Sequence, residues 1–551
     1  MNIKRAKQEI KDTIAAYLKR DEYGMYTIPS IRQRPVLLIG PPGVGKTQIM
    51  EQISQECRIG LVAYTITHHT RQSAIGLPFI QHRQYGGREY AVTEYTMSEI
   101  VASVYEKIEQ TGLPEGILFI DEINCVSETL APTMLQFLQG KTFGNHKIPD
   151  GWIIVAAGNP PEYNKSVREF DIVTMDRIRR IDVEPDFGVW KEYAVQADIH
   201  PAVRAYLNVR RENFCRIETT VDGKLFATPR GWEDLSQLIQ VYETLEKKVD
   251  RELVAEYIQF PKIAKDFANY LELYYKYQND YQVERVLAGE ISEAVVDKLE
   301  RAPFDERISV VGLLLSGLNG KFRQVSETGD MLERRQEVLR KVLETGARPE
   351  MAEAPEGAVS DAGAVQKGAV SKAGAVQKGV VSDAGAVQDS AMQGTSASSQ
   401  HFVQKLAHGI EAFRETWERR RENGLLSRRE LRLDREVTAK LEADLQELRR
   451  QDIRTAEEAK QFLRGRFGAD SDGYENLVDE AGRMLEHGFD FMEAAFGNSQ
   501  EMVLFVTELN TGFYSVGFLQ EYDCERYYRY NKELLFLEEE RELGRLLDRQ
   551  A

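Results

Sequence analysis

The sequence contains no run of about 18 apolar residues, the length that a membrane-spanning helix requires, so no membrane insertion is expected. Residues 1–20 are positively charged but lack the continuous apolar segment of a secretory signal peptide. Only four cysteines occur, and none belongs to a Cys-x-x-Cys pair, which argues against a zinc site and against a disulfide framework. These absences together favour a protein of the reducing cytoplasm.

Positive charge is scarce relative to negative charge. The chain carries 71 Lys and Arg residues against 88 Asp and Glu residues, a formal net charge of -17. This acidic balance disfavours a protein that depends on generic attraction to the phosphate backbone of nucleic acid. Hydrophobic residues make up 42% and charged residues 29%, as in soluble globular proteins, and a chain of 551 residues is expected to divide into about two to four domains.

Short apolar runs alternate with helical patterns between residues 30 and 185, which is typical of a parallel α/β sheet. The candidate strands are 36–39, 61–66, 117–120, 152–157 and 181–183. Runs that are apolar on both faces suit strands buried beneath helices. We therefore expect residues 1–185 to form an α/β domain, with a first helix that packs one apolar face against the core.

The strand signals fade after residue 185. Residues 186–346 show long helical periodicities and are expected to form a helical lid subdomain. Within this region four tyrosines recur at helical spacing, and we expect that stripe to pack in a core, with a binding surface as the alternative. The stripe consists of Tyr270, Tyr274, Tyr277 and Tyr281.

Three repeats of 11 residues occupy residues 357–389 and are rich in Gly, Ala and Ser. Such small side chains bury too little apolar surface to offset chain entropy, so residues 347–400 are expected to form a flexible linker. A solenoid is the less favoured alternative. Residues 401–551 regain a globular composition and predict a mainly helical domain, whose aromatic-rich later part is expected to form a small core of its own. That domain shows no catalytic spacing.

The segment VLLIGPPGVGKT runs from an apolar strand into the pattern G-x-x-x-x-G-K-T and then into a helical pattern, the order that a phosphate-binding loop requires. Two glycines let the backbone turn its N–H groups toward phosphate oxygens. Lys46 would reach the β- and γ-phosphates, and the Thr47 hydroxyl would ligate Mg²⁺. The expected nucleotide-binding residues of this loop are Gly40, Pro41, Pro42, Gly43, Val44, Gly45, Lys46 and Thr47.

A second motif, ILFIDE, ends a buried strand with two acids. Asp121 would hold Mg²⁺, and Glu122 would polarise a water for attack on the γ-phosphate. An acid pair at a strand end is weak evidence alone, but it becomes strong evidence about 70 residues beyond a phosphate-binding loop. Asn159 ends a later apolar strand, where it would position the attacking water or serve only as a turn residue before two prolines.

Arginines form the last set of candidates. Arg177, Arg179 and Arg180 precede the fifth candidate strand, where they either face solvent or supply an arginine finger to a neighbouring subunit. Thr228, followed by a proline, predicts a helix start. That helix would project Arg230 from its first turn, from which a guanidinium group could contact nucleotide phosphates.

In this order, the motifs GPPGVGKT, ILFIDEIN, AAGNP, MDRIRRIDV and ATPRGW resemble those of the AAA+ ATPases, and among them the MoxR-like branch close to the dynein-related domains. The resemblance covers about residues 1–345. It implies a five-stranded ASCE sheet with a helical lid, ATP and Mg²⁺ as cofactors, and assembly into a homo-oligomeric ring, commonly a hexamer. The implied roles are Walker A for Gly40 to Thr47, Walker B for Asp121 and Glu122, sensor 1 for Asn159, arginine finger for Arg177 and sensor 2 for Arg230.

The arginine segment departs from the family pattern. It reads DRIRRI where a sequence nearer to D-R-F-L-L-R-I is expected, so the choice among its three arginines stays open. Residues 70–101 stand where the MoxR-like branch carries its helix-2 insert, a hairpin that faces the ring pore. The resemblance of the region after the linker to the C-terminal extensions of long bacterial members is much weaker.

The resemblance also implies partners. MoxR-like proteins usually act with a von Willebrand factor A domain protein to remodel or mature a protein client. The D-x-S-x-S motif of that domain is missing here, so such a partner would be a separate chain. The expected function is therefore ATP hydrolysis coupled to work on a protein. The alternatives are a nucleotide-gated scaffold with little turnover and an ATP-driven remodeller of nucleic acid.

Overall fold

The computed structural model describes residues 1–68, 74, 76–143, 146–163, 167, 170–221, 223–344, 395–451, 453 and 455–533. Most of the flexible linker predicted for residues 347–400, including the repeats at 357–389, lies outside the described residues, and the prediction is wrong for residues 395–400, which belong to a helix. The strands are β1 Val36–Ile39, β2 Gly60–Thr65, β3 Pro78–Tyr85, β4 Arg88–Tyr95, β5 Gly116–Asp121, β6 Thr142–Phe143, β7 His146–Lys147, β8 Trp152–Gly158, β9 Arg179–Asp182, β10 Arg216–Thr220 and β11 Gly223–Ala227.

Helices make up most of the rest of the described chain. Those of the first half are α1 Ile3–Leu18, α2 Lys46–Cys57, α3 Glu99–Thr111, α4 Ala131–Gly140, α5 Ile172–Met175, α6 Phe187–Gln196, α7 Pro201–Val209, α8 Pro229–Thr244, α9 Arg251–Tyr257 and α10 Pro261–Tyr281. Those that follow are α11 Val283–Leu287, α12 Glu293–Glu300, α13 Phe304–Glu344, α14 Thr395–Glu422, α15 Arg428–Arg450, α16 Ala456–Phe496, α17 Gln500–Thr511 and α18 Phe513–Glu521.

The central sheet has five parallel strands in the order β2-β5-β8-β1-β9. These are the five candidate strands, with bounds that differ by one or two residues. The predicted α/β fold with a five-stranded parallel sheet and a mainly helical C-terminal region is therefore confirmed. Because the strands are parallel, all their C-terminal ends meet at one edge of the sheet, where ligands bind in open α/β folds.

Two apolar layers cover the faces of the central sheet, because side chains alternate along each strand. Leu38 and Phe119 belong to the layer beneath α1 and α2. Leu37 and Leu118 belong to the layer beneath α3 and α4. The predicted packing of the first helix is confirmed, since residues such as Ile10 are buried in the first of these layers.

Antiparallel hairpins stand outside the central sheet. The β3–β4 hairpin occupies most of the described part of the segment 70–101, where a hairpin was expected. The helical periodicity of residues 186–346 did not predict the β10–β11 hairpin. Of its strands, RIETT contains one apolar residue, and the three of GKLFA are consecutive and not alternating, so the period-2 pattern is weak.

The expectation that the aromatic-rich later part of the C-terminal region forms a core of its own is wrong. Phe489, Phe505 and Phe518 lie in the same apolar cluster as Trp232 and Tyr274 of the lid. The 41-residue helix α13 joins the two regions, because it packs against α10 of the lid and against α16, α17 and α18. The lid and the later C-terminal helices therefore share one folded core.

The tyrosine stripe packs in this shared core, as predicted. Tyr274 and Tyr281 are buried, while Tyr270 and Tyr277 are partly buried against the same cluster.

The helices α17 and α18 also contribute to this core and meet at a bend of 85°. This pair together has the length and composition of a membrane span, but no single helix of the described residues does.

A buried ion-pair network connects α13, α15 and α16. The side chain of Arg335 is fully buried and pairs with Asp444 and, at 2.5 Å, with Asp470. Arg466 pairs with the second oxygen of Asp444 at 3.2 Å, and Lys440 with that of Asp470 at 2.8 Å. Each carboxylate thus meets two cations, which offsets the cost of removing these charges from water.

We predict that Arg335→Ala lowers the free energy of unfolding by about 3–5 kcal/mol, because it leaves the buried Asp444 carboxylate with only part of its compensating charge. The measurement is calorimetric unfolding. Lys341→Ala on the same helix is the matched control, since Lys341 is 66% exposed in its pair with Glu337 and should change stability by at most about 1 kcal/mol. Equal unfolding temperatures for the two variants would contradict the prediction.

Candidate active site

The loop between β1 and α2 runs closer to its neighbours than a side chain would permit. A Cβ atom on Gly40 would lie 2.6 Å from the carbonyl oxygen of Val183. Gly43 and Gly45 have φ angles of 78° and 90°, in the left-handed region that favours glycine. Of the other loop residues, Pro41 and Val44 are buried and Pro42 is half-buried. Since α2 begins directly after this loop, its open N–H groups and the positive end of its dipole face the same space.

The Lys46 ammonium group lies inside the loop, and only 8% of the residue is exposed. It donates to the carbonyl oxygens of Gly40 and Pro41, each at 2.8 Å, and to Oδ1 of Asn159 at 3.0 Å. Burial lowers the pKa of Lys46 to about 8, Asp121 acts in the opposite direction, and Arg230 lowers it further. A buried cation among neutral oxygens favours an anionic ligand.

Thr47 and Asp121 form a hydroxyl–carboxylate pair beside this lysine. Oγ1 of Thr47 donates to Oδ2 of Asp121 at 2.8 Å. Mg²⁺ prefers oxygen ligands and is usually held by one or two carboxylates together with phosphate oxygens and waters. The pair meets this requirement, so Thr47 and Asp121 would hold the ion.

Glu122 stands directly after β5 with φ of 56° and ψ of 33°, a left-handed conformation that few residues other than glycine adopt. Its N–H donates to Oδ1 of Asp121 at 2.9 Å, and its Oε2 accepts from the Thr67 hydroxyl at 3.1 Å. Backbone strain of this kind is common at functional sites. The two neighbouring acids therefore have separate partners. Asp121 accepts from the Thr47 hydroxyl, and Glu122 accepts from the Thr67 hydroxyl. No motif in the sequence indicated Thr67.

Asn159 reaches the phosphate-binding loop, since its side-chain oxygen accepts from Lys46. Its own carbonyl oxygen accepts from the side-chain nitrogen of Asn124 at 2.7 Å. Asn124 is buried, and a Cβ atom on Gly158 would lie 2.4 Å from its Oδ1. Asn124 thus orients the segment that carries Asn159. The sequence analysis missed it, although a polar side chain directly after the acid pair of ILFIDEIN was the available signal.

Arg230 lies against the same loop from the lid side. The predicted helix start is confirmed, because Oγ1 of Thr228 accepts from the N–H of Gly231 at 3.2 Å. A Cβ atom on Gly43 would lie 3.2 Å from the Cβ of Arg230, so the backbones of loop and lid are in contact there. The Arg230 side chain is exposed, and its positive charge lowers the pKa of Lys46.

A cavity of about 280 Å³ opens between the loop, α1 and the lid. Apolar and polar side chains both line it, which suits a planar base and its ribose. Its lining includes Ile3, Gly43, Gln48, Val189, Trp190, Tyr193, Phe214 and Glu233. The sequence analysis named none of the lid residues in this set, because they follow the loop by more than a hundred residues and carry no motif.

The arginine segment enters β9 at the opposite end of the sheet. Arg179 lies opposite Val36, the first residue of β1, and Gly40 follows four residues later, roughly 13 Å along the strand. Arg179 pairs with Glu9 of α1 at 2.5 Å and also donates to Thr13. This arginine is therefore committed to holding α1 on the sheet.

The other two arginines are exposed. Arg177 donates to Gln139 of α4, and Arg180 pairs with Asp182 at 2.7 Å. Among the described residues, neither makes a hydrogen bond or ion pair with the phosphate-binding loop or the acid pair of its own chain. Arg180 borders a cleft that also reaches Asn159. The structure thus unites all the predicted site residues except Arg177.

Part of the N-terminal third of the chain matches a known protein family. Residues 36–178 match the model of the family described as "ATPase family associated with various cellular activities (AAA)". The matched segment begins with β1 and ends directly before β9, so it contains the loop, the acid pair, Asn159 and Arg177. A comparison with curated proteins gave no match.

Nucleotide affinity should depend on pH through Lys46. Because its pKa in the free protein is about 8, the lysine loses its proton above that pH, whereas a bound triphosphate would hold the proton in place. We predict that the Kd for Mg-ATP rises by up to about tenfold per pH unit between about pH 8 and 10, with uptake of nearly one proton on binding. Titration calorimetry in two buffers of different ionisation enthalpy measures that uptake.

Lys141 offers a matched control. It is also buried, burial lowers its pKa to about 8, and it donates to Gln33 and to the carbonyl oxygen of Trp152 rather than to the loop. Lys141→Met should therefore retain the proton uptake on ATP binding. Loss of the uptake in this variant, or its absence from the unmodified protein, would show that Lys46 is not the titrating group.

Proposed function

We propose that the chain, whose residues 36–178 match the AAA family model, is an ATP- and Mg²⁺-dependent motor of the MoxR-like AAA+ branch that remodels or matures a protein client. The observation that carries this proposal is the convergence of Lys46, the Thr47–Asp121 pair, Glu122 and Asn159 at one edge of the sheet. Cation, metal ligands and acid stand beside a loop shaped for phosphate, as phosphoryl transfer to water requires.

Each side chain has a separate task in this proposal. Lys46 and the loop N–H groups bind the phosphates, and Thr47 with Asp121 positions the metal ion, whose chemistry is to neutralise charge on the phosphate oxygens. Glu122 accepts a proton from the attacking water, and Asn159 orients that water. The hydrogen bond from Thr67 holds the Glu122 carboxylate in place until the water is bound.

Turnover is favoured over pure nucleotide binding. A nucleotide-gated scaffold, the alternative from another class, needs the loop and the metal pair but no base. Glu122 occupies a left-handed backbone conformation beside the metal pair and has its own hydroxyl partner, an arrangement that supports a catalytic role. A nucleic-acid remodeller is disfavoured by the net charge of -17.

A protein client is favoured by the β3–β4 hairpin. All eight residues of β3 are exposed, and the hairpin presents large apolar side chains to solvent. Among them are Phe79, Ile80, Tyr85 and Tyr90, of which Ile80 is 71% exposed. Apolar surface of this kind marks contact with another macromolecule. We assign it to the client, and we place the von Willebrand factor A domain partner on a separate chain.

Ring assembly is supported by the partners of the arginines. Arg177 is exposed and, among the described residues, makes no hydrogen bond or ion pair with the loop of its own chain, whereas Arg179 is held by Glu9. We therefore propose that Arg177 acts in trans as the arginine finger of a neighbouring subunit in a homo-oligomeric ring, commonly a hexamer in the MoxR-like branch.

Two substitutions separate binding from chemistry. Lys46→Ala should abolish ATP binding, because it removes the cation that meets the phosphates in the ground state. Glu122→Gln should keep the ATP affinity within about threefold and lower the hydrolysis rate by at least about 100-fold, because it removes only the base. Steady-state phosphate release and equilibrium binding of ATP measure the two effects. Undiminished hydrolysis by Glu122→Gln would disprove the assigned base.

Mixing two inactive proteins tests the shared site. Arg177→Ala and Glu122→Gln should each be nearly inactive, since an arginine finger contributes about 10³–10⁵ to the rate in other NTPases. When co-assembled, they should recover activity at interfaces where one subunit supplies Glu122 and the other Arg177. Arg180→Ala with Glu122→Gln is the parallel mixture. Recovery only in that mixture would reassign the finger, and no recovery in co-assembled rings would place the site within one chain.

A further inference from the structure

The hydroxyl of Tyr193 connects the phosphate-binding helix to the lid. Nε2 of Gln48 on α2 donates to it at 2.7 Å, and it donates to Oε1 of Glu233 on α8 at 2.8 Å. The direction of both bonds is fixed by chemistry, because an ionised carboxylate only accepts and an amide nitrogen only donates. Tyr193 therefore uses its single proton and one lone pair to hold two elements that are far apart in the chain.

Both ends of this link are one short step from a nucleotide-binding group. Gln48 directly follows Thr47, the expected metal ligand. Glu233 stands three residues after Arg230 on the same helix, so the two are neighbours one turn apart. All three residues of the link border the 280 Å³ cavity beside the loop.

Tyr193 remains a neutral phenol under ordinary conditions. Burial is the main reason that its pKa is raised to about 12, with the Glu233 carboxylate acting in the same direction and Gln48 in the opposite direction. The link is thus present over the whole pH range in which the protein would work. Tyr275 makes a bond elsewhere in the lid that is comparable to the bond from Tyr193 to Glu233, since its hydroxyl donates to Glu243 at 2.8 Å. Within the described part of the chain, Tyr275 makes no hydrogen bond with α2.

We propose that Tyr193 is a positioning residue for ATP turnover, which holds the lid helix α8 against α2 so that Arg230 faces the phosphate-binding loop. This inference rests on the proposed ATPase activity. Tyr193 acts through Arg230 and does not touch the reacting atoms. The link positions Arg230 and makes no contact with the phosphate-binding Lys46, so its loss reduces the rate of hydrolysis more than the affinity for ATP.

The test is Tyr193→Phe, which keeps the ring and removes both hydrogen bonds. We expect kcat to fall roughly three- to tenfold, the effect of losing one or two ordinary hydrogen bonds, while the Kd of a non-hydrolysable ATP analogue changes less than about twofold. Tyr275→Phe is the control, because it removes a similar bond from the same lid, and its kcat should stay within about 1.5-fold of the unmodified protein.

The Arg230→Ala background distinguishes positioning from general destabilisation. If Tyr193 acts by placing Arg230, then adding Tyr193→Phe to Arg230→Ala causes no further loss in kcat. Multiplying losses in the double variant would overturn the proposal, as would equal effects of Tyr193→Phe and Tyr275→Phe. An unmodified protein that binds ATP but does not hydrolyse it would instead refute the proposed function, so the two failures are distinguishable.

Discussion

The pairing of β5, β8 and β1 as adjacent parallel strands determines where every catalytic group emerges. Ile39 lies opposite Gly158, and Ile120 lies opposite Ala156, so the three strands end at the same level. The loop, the acid pair and Asn159 each follow one of these ends. A register slip of one residue would exchange side chains between the two apolar layers, which are shaped by different helices, and would misalign the strand ends. The backbone ladder, rather than attraction among the functional side chains, therefore builds the site.

Within this frame, electrostatics prepares the site for an anion. Lys46 is desolvated by the loop that surrounds it, Asp121 stabilises its charge only partly, and Arg230 approaches with the same sign. Triphosphate oxygens would offset both the cost of burying the Lys46 charge and its repulsion by Arg230. Bound nucleotide would therefore raise the free energy of unfolding. The same nucleotide would attract both the α/β domain and the lid, because Lys46 belongs to the first and Arg230 to the second.

The lid shares its core with the later C-terminal helices. The earlier C-terminal helices α14 and α15 form a separate apolar cluster with α13 and α16, and the segment between α14 and α15 touches the α/β domain. Nζ of Lys107 donates to the carbonyl oxygen of Asn423 at 3.0 Å, and Nε2 of Gln55 donates to that of Leu426 at 3.4 Å. The C-terminal helices are therefore connected both to the lid, through α13, and to the α/β domain.

The sequence by itself determined the parts that depend on local pattern. The phosphate-binding loop, the acid pair, the five strands and the helix cap at Thr228 all have short-range signatures, because each follows from residue type and spacing over a few positions. Only the tertiary structure decided which distant side chains support them. Asn124, Thr67 and Tyr193 act through partners that lie from 35 to 145 residues away, and no periodicity marks such contacts.

The C-terminal helices show the same limit on a larger scale. Their aromatic residues predicted a buried core, which is correct, but an apolar pattern states only that a face is buried and not against which partner. The long helix α13 decided that partner, because its apolar side chains contact both the lid and α16 to α18. Residue type and spacing over a few positions determine local chemistry, whereas the free energy of the whole fold determines which elements pack together.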